Sequence, residues 1–157
     1  MKRLLVMLVL LSAASAAAPQ ASPAAPTLAD DEAAIRADIA AQAAAWNRGD
    51  IEGFMKTYED SPGTTFIGNT VRKGYKPILD RYRKSYSTRE QMGTLSFTGL
   101  DVRLLPNGCG KSEIALVTGR FHLDRIQHGE AAKDDGIFSL VFRKTARGWK
   151  IVLDHTS

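Results

Sequence analysis

The sequence is poor in the residues that build disulfide frameworks and metal centres. It contains 1 cysteine and 3 histidines among 157 residues. Cys109 has no partner for an intramolecular disulfide, and its glycine and asparagine neighbours predict an exposed turn. His122, His128 and His155 lack the H-x-x-x-H spacing that is typical of zinc sites, so we expect no metal and no cofactor.

Long apolar runs are equally scarce, and the clearest one lies at the start of the chain. Leu4–Leu11 is apolar throughout, but it is far shorter than the ~20 residues that cross a membrane. Lys2 and Arg3 precede it, and the small residues Ala14–Ala16 follow it. This arrangement predicts a signal peptide over residues 1–16, cleaved after Ala16. The mature protein is then periplasmic or secreted, with no membrane attachment.

The composition also argues against a nucleic-acid partner. The formal net charge is +4, and loss of Lys2 and Arg3 with the signal peptide would reduce it to +2. The sequence has no block of basic residues and no stripe in which basic and aromatic residues alternate. Residues 17–27 are mainly alanine, proline and serine, which predicts a disordered linker. One domain of ordinary length remains, residues 28–157.

Within this domain the apolar residues first recur at helical spacing and later alternate as in strands. A first helix is capped by Thr27 and stopped by Gly49, and Asp50 caps a second helix. A third helix runs from Tyr75 to about Tyr86. Gly119 predicts a bend or a bulge in one of the strands that follow. The predicted long strands are Thr94–Leu105, Ser112 to about Ile126, Ile137–Lys144 and Trp149–His155, with a polar loop over Gln127–Asp135.

Five segments make the chain similar to a known superfamily. They are Trp46–Asp50, Phe54–Tyr58, Gly74–Tyr82, Gly148–Val152 and Asp154–Ser157. In these segments the chain resembles the nuclear transport factor 2-like (NTF2-like) superfamily, and within it the SnoaL-like and DUF4440-type small proteins. The resemblance implies an α+β cone, in which N-terminal helices pack on a strongly curved antiparallel sheet. It also implies a conical pocket and a homodimer.

The resemblance does not extend to the catalytic residues of the ketosteroid isomerase branch of that superfamily. The positions of that branch's tyrosine and sheet acid fall near Gln42 and Phe138, and its general base falls near Phe66 or Ile67. None of these residues matches, and an isomerase needs a carboxylate within reach of its substrate. We therefore favour binding over catalysis, although fold alone does not decide function.

The candidate pocket residues are mainly aromatic, with two histidines. They are Trp46, Tyr58, Phe66, Tyr82, Tyr86, Phe97, His122, Phe138, Trp149 and His155. Asp154 and His155 are the candidates for acid–base chemistry. Adjacent strand residues point to opposite faces, and the apolar neighbours Trp149 and Ile151 favour His155 as the one that faces the pocket.

Three classes of function stay open at this point. The first is an exported domain that binds a small apolar molecule in a conical pocket without chemistry. The second is a small SnoaL-like acid–base enzyme of the isomerase, cyclase or hydrolase type. The third is a dimerisation or partner-binding domain. A cone filled by its own side chains would leave only the third.

Overall fold

The structure is a computed structural model that describes residues 27–157. The predicted signal peptide lies outside the described residues, as does the predicted linker except for Thr27. The helices are α1 (Leu28–Asn47), α2 (Ile51–Met55), α3 (Tyr75–Ser85) and α4 (Arg89–Met92). The strands are β1 (Thr65–Ile67), β2 (Val71–Lys73), β3 (Thr94–Pro106), β4 (Ser112–Gln127), β5 (Glu130–Thr145) and β6 (Gly148–Thr156).

The helix ends follow the sequence signals closely. The hydroxyl of Thr27 accepts from the backbone N–H of Asp30, whose carboxylate accepts from the backbone N–H of Thr27. Gly49 has a positive φ of 83°, which a glycine adopts without strain, and it ends the turn after α1. The Asp50 carboxylate then accepts from the backbone N–H of Gly53 at 2.6 Å and caps α2. The short helix α4 was not predicted.

The sheet has six strands in the order β2-β1-β6-β5-β4-β3. The long strands pair antiparallel, as expected. The sheet departs from antiparallel pairing at one place, because β1 pairs parallel with β6. In this pairing Phe66 lies opposite Asp154, so the parallel contact brings the first strand against the end of the last one.

The predicted polar loop over Gln127–Asp135 is mostly strand. Gln127 pairs with Glu130, so β4 and β5 form a hairpin with a two-residue turn. The turn residues His128 and Gly129 both have positive φ, 54° and 84°, which matches the right-handed twist of the strands. From Glu130 to Gly136 the residues are polar or small on both faces of β5. The sequence therefore lacks the polar–apolar alternation that indicates a strand.

The bulge that the sequence suggested at Gly119 is present. Gly119 pairs in register with Phe138 of β5, but on its other side it lies opposite both Gly99 and Leu100, because the register of β3 against β4 shifts between the pairs Thr98–Arg120 and Asp101–Thr118. Gly119 also makes room for a ring, because a Cβ at this position would lie 2.7 Å from Cζ of Phe138. Its lack of a side chain therefore allows close packing at the irregular part of the β3–β4 pair.

The helices cover one face of the sheet, and the core lies between them. The largest fully buried apolar side chains come from both layers: Ile35, Ile39, Met55, Ile78, Phe142 and Ile151. None of the described helices combines the length and apolarity needed to cross a membrane. Cys109 is exposed in the turn between β3 and β4, as predicted.

Candidate functional site

A cavity of about 150 Å³ lies between the helices and the sheet. Its helical wall is aromatic: the ring centroids of Trp46 and Tyr86 are 4.7 Å apart, and those of Phe54 and Tyr82 are 5.2 Å apart. Such ring pairs give a rigid apolar surface. The lining residues are Ile39, Gln42, Trp46, Phe54, Tyr58, Phe66, Arg81, Tyr82, Tyr86, Leu95, Phe97, Phe121, Leu123, Phe138, Leu140, Asp154 and Thr156.

A buried carboxyl group is hydrogen-bonded at one side of this apolar wall. Asp154 is only 5% exposed, and the Tyr58 hydroxyl, 4% exposed as a residue, donates to its Oδ2 at 2.5 Å. The Thr156 hydroxyl donates to Oδ1 at 3.0 Å. Burial raises the pKa of Asp154, and the two hydroxyl donors and the charge of Arg81 offset part of this effect. A carboxyl of this kind can serve as a proton donor or acceptor.

Backbone hydrogen bonds hold Tyr58 and Asp154 against each other. The N–H of Glu59 donates to the carbonyl of Ile151 at 2.9 Å, and the N–H of Ile151 donates to the carbonyl of Thr57 at 2.9 Å. The segment after α2 therefore runs beside β6 like a short extra strand. Asp154 itself is fixed in the sheet between Phe66 and Leu140.

The two buried tyrosines of the cavity are hydrogen-bond donors and not bases. Burial raises the pKa of Tyr58 well above its ordinary value, and the negative charge of Asp154 raises it further. The pKa of Tyr82 is also raised, first by burial and then by Asp154. Both hydroxyls therefore stay protonated near neutral pH.

One cation reaches the cavity from α3. The guanidinium carbon of Arg81 lies 4.6 Å from the ring centroid of Phe66 and 5.5 Å from that of Tyr82. Its charge lowers the pKa of Asp154 against the effect of burial. The cavity thus combines aromatic walls, one carboxyl, hydroxyl donors and one guanidinium.

The sequence of this domain matches one known protein family. The SnoaL-like domain family matches residues 35–157, which include every strand and most of α1. The chain belongs to the SnoaL-like domain family. The resemblance to the NTF2-like superfamily is therefore confirmed. The search of curated proteins gave no match for this SnoaL-like domain.

Solved structures share the fold of this SnoaL-like domain. An NTF2-like protein of unknown function from Shewanella oneidensis MR-1 is 31% identical with a TM-score of 0.71, over 80% of this chain and 98% of that chain. A domain of unknown function with a cystatin-like fold from Nostoc punctiforme is 29% identical with a TM-score of 0.62, over 84% and 78%. An NTF2-like superfamily protein from Salmonella enterica is 20% identical with a TM-score of 0.66, over 82% and 91%. They support the fold and assign no activity.

Most of the side chains proposed from the sequence line the cavity of the SnoaL-like domain. Those that do are Trp46, Tyr58, Phe66, Tyr82, Tyr86, Phe97 and Phe138. His122 lies on the outer face of the sheet, where its ring nitrogens contact Asp135 and the hydroxyl of Thr98. Trp149 is buried elsewhere, and its indole N–H donates to the carboxylate of Asp31 at 3.1 Å.

The sequence interpretation chose the wrong member of the Asp154–His155 pair. Val141 pairs with Leu153 and Phe142 pairs with Ile151, so β6 carries one extra residue at Val152. This β-bulge reverses the inward and outward alternation beyond it. Asp154 therefore points inward and is buried, whereas His155 is exposed and does not line the cavity.

The sequence reasoning also missed several lining residues: Ile39, Gln42, Phe54, Arg81, Leu95, Phe121, Leu123, Leu140 and Thr156. Gln42 and Phe54 had a signal, because both lie on the apolar faces of predicted helices. Arg81 had a weaker signal, since it directly precedes Tyr82 and lies at the edge of the apolar face of α3. Within residues 27–157, no group of three or more His, Cys, Asp or Glu side chains is placed to hold a metal.

Proposed function

We propose that the domain binds a small, mostly apolar molecule in its cavity, with the polar part of the ligand at Asp154 and Tyr58. The observation that carries this proposal is a buried, hydrogen-bonded carboxyl facing an unfilled aromatic cavity. Burial of an ionisable group in apolar surroundings costs stability, and a ligand that hydrogen-bonds to it gives a reason for that cost. An unfilled cavity also counts against a purely structural partner-binding domain.

Native mass spectrometry and thermal-shift measurements on the purified protein test this proposal. A bound ligand stabilises the folded state, so a binding compound raises the melting temperature. The panel spans single-ring compounds, sterols and polyketide-like molecules. Leu140→Phe fills the cavity, whereas Leu79→Phe makes the same change at a buried position outside it. We expect the shift to vanish in the first variant and persist in the second, and equal shifts in both would contradict the proposal.

The second candidate is a small acid–base enzyme of the isomerase, cyclase or hydrolase type. The contact between the Tyr58 hydroxyl and Asp154 favours it, because a carboxyl of raised pKa beside a phenol can move a proton at a bound substrate. Asp154→Asn should then abolish turnover while ligand binding persists. His155→Ala should leave turnover unchanged, because His155 lies outside the cavity. Turnover that depends on His155 would refute this assignment.

We propose further that the protein is exported with cleavage after Ala16. The basic, apolar and small-residue order of residues 1–16 supports this. The intact mass of protein recovered from the periplasm or medium tests it, and the expected chain begins at Ala17. An uncleaved chain retained in the cytoplasm would contradict it.

A homodimer is the remaining proposal. The outer face of the sheet exposes Leu116 on β4 and Ile137 on β5, and both side chains could be covered by a second copy. Light scattering coupled to gel filtration measures the mass in solution. Leu116→Lys with Ile137→Lys should give a monomer if this face forms the dimer, and an unchanged dimer would place the interface elsewhere.

A further inference from the structure

Arg81 has no counter-ion within ion-pair distance among the described residues, in contrast to Lys76 and Arg83 of the same helix. Arg83 pairs with Glu52 at 2.6 Å, and Lys76 pairs with Asp80 at 2.8 Å. Within residues 27–157, the Arg81 guanidinium has no ion pair and no hydrogen bond of its own. It nevertheless lines the cavity. Its N–H donors are therefore available to a ligand.

Packing holds this guanidinium in place. It lies over the Phe66 ring on one element and near the Tyr82 ring on its own helix. Cation–π contacts of this kind restrain the position of the guanidinium and leave its N–H groups free to bind a ligand. A guanidinium edge matches the two oxygens of a carboxylate and binds them bidentately. The arrangement is that of an anion-binding group placed beside an apolar cavity.

The size of the cavity limits the apolar part of such a ligand. Its volume of about 150 Å³ equals that of engineered cavities of about 150 Å³ that take up benzene. One ring therefore fills this volume. The further rings of a sterol or a polyketide would extend beyond it. The aromatic walls provide edge and face contacts to a ring.

We propose that the ligand is a single-ring acid, whose ring enters the aromatic cavity while its carboxylate binds Arg81. This inference rests on the proposed binding function and specifies its ligand class. The affinity for such an acid must depend on the charge of Arg81. The affinity for a neutral ligand held by Asp154 and Tyr58 alone would not.

Asp154 lies close to Arg81 in the cavity wall and has the opposite effect on the binding of an acid. The charged and titratable groups around the Asp154 carboxyl are Tyr58 after α2, Arg81 and Tyr82 on α3, and His155 on β6. The neighbouring strands β1 and β5 place the apolar residues Phe66 and Leu140 opposite Asp154. A ligand carboxylate beside an ionised Asp154 would be repelled, so binding favours the protonated form. Affinity should therefore fall as the pH rises through the pKa of Asp154. An amine ligand would show the reverse trend.

Calorimetric titration with benzoate, benzamide and benzylamine tests the charge requirement. We expect benzoate to bind roughly tenfold more tightly than benzamide or better, because its hydrogen bonds to Arg81 are charge-assisted. Arg81→Gln should remove this preference, and Arg81→Lys should restore part of it. Asp154→Asn should tighten benzoate binding, since it keeps an acceptor for Tyr58 and removes the negative charge. Arg83→Gln is the matched control on the same helix, away from the cavity, and should change nothing.

The outcomes separate this inference from the proposed function. Equal affinity for benzoate and benzamide, or preference for benzylamine, overturns the acid assignment while binding itself stands. Binding of sterol-sized compounds without any single-ring compound overturns the size argument. Absence of binding by every compound, with Leu140→Phe indistinguishable from wild type, overturns both. Should Arg81→Gln fail to fold, Arg81→Lys still reports whether the bidentate contact matters.

Discussion

The hydroxyl of Tyr58 and the carboxyl of Asp154 are hydrogen-bonded at 2.5 Å although they are 96 residues apart in the chain. This contact joins the segment after α2 to the end of the last strand, inside the cavity wall. It provides Asp154 with a donor that partly compensates its burial. If the proposed ligand binds beside Asp154, this hydrogen bond affects both the stability of the fold and the affinity of the site.

Removal of the Tyr58 hydroxyl should destabilise the fold. Tyr58→Phe leaves a buried carboxyl with one donor fewer, so we expect a loss of about 1–3 kcal/mol in the free energy of unfolding. Urea denaturation measures it. Tyr86→Phe is the control, because the Tyr86 ring lines the same cavity and lies at 4.7 Å from Trp46, but its residue is only partly buried. Equal losses in both variants would show that the contact with Asp154 contributes nothing.

Asp154→Asn should change how stability depends on pH. Burial raises the pKa of Asp154 in the folded state, so the native protein binds this proton more tightly than the unfolded chain does. The stabilisation from this group is complete below the unfolded pKa, about 3.9, and is lost as the pH rises through the folded value. The variant lacks this loss. Urea denaturation at several pH values should show wild type weakening relative to Asp154→Asn as the pH rises, and a constant difference would contradict the assignment.

The helical half of the site could be predicted from the sequence because its signals are local. Helical spacing alone places Trp46 in line with Ile35 and Ile39, and Tyr82 in line with Ile78, and both aromatic residues line the cavity. The strand half depended on alternation, which holds only while the strand is regular. One extra residue at Val152 exchanged the roles of Asp154 and His155. Nothing in the local sequence marks that bulge, because it arises from pairing with β5.

The β4–β5 hairpin was missed for a different physical reason. Near its turn, charged side chains pair across the two strands where an apolar face would otherwise mark them. Arg125 and Asp134 pair at 2.6 Å, and Asp124 and Lys133 pair at 3.2 Å. Pairs of this kind become visible only once the register is known. Without the register, a run of polar residues that has no apolar face is typical of a loop.

A buried ion pair holds the start of α1 to the sheet, and its loss should cost more than that of an exposed pair. The Asp31 carboxylate accepts from Lys144 Nζ at 2.6 and 2.8 Å and from the Trp149 indole at 3.1 Å. Asp31→Asn leaves Lys144 without its counter-ion, so we expect a loss of about 1.5–3 kcal/mol. Glu32→Gln breaks the exposed pair with Arg36 on the same helix and should cost about 0.3–0.5 kcal/mol.

Chemical denaturation of the two variants in parallel measures this difference. Asp31 lies in the first turn of α1 and Glu32 directly follows it, so the two substitutions remove one negative charge each from adjacent positions near the start of the helix. The difference between the two variants in the free energy of unfolding therefore reports the effect of burying the Asp31 carboxylate against the sheet. Equal destabilisation would mean that the contact of Asp31 with the sheet adds nothing beyond helix capping.

Gly119→Ala should damage both the fold and the cavity. An added Cβ would lie 2.7 Å from Cζ of Phe138 and 3.0 Å from Cδ2 of Leu100. Because Phe138 lines the cavity, relief of this clash pushes its ring toward the ligand space. We expect a loss of about 1–3 kcal/mol in the free energy of unfolding. Ligand affinity should fall as well.

Gly108→Ala provides the comparison, since a Cβ there meets no atom within 4 Å. Thermal and urea denaturation should leave this variant near wild type while Gly119→Ala unfolds earlier. Benzoate titration of both then separates the two consequences. Reduced stability with unaltered affinity would mean that β3 yields at Leu100 and that Phe138 keeps its place. Reduced affinity together with reduced stability would show that the glycine in β4 maintains the ligand space by its lack of a side chain.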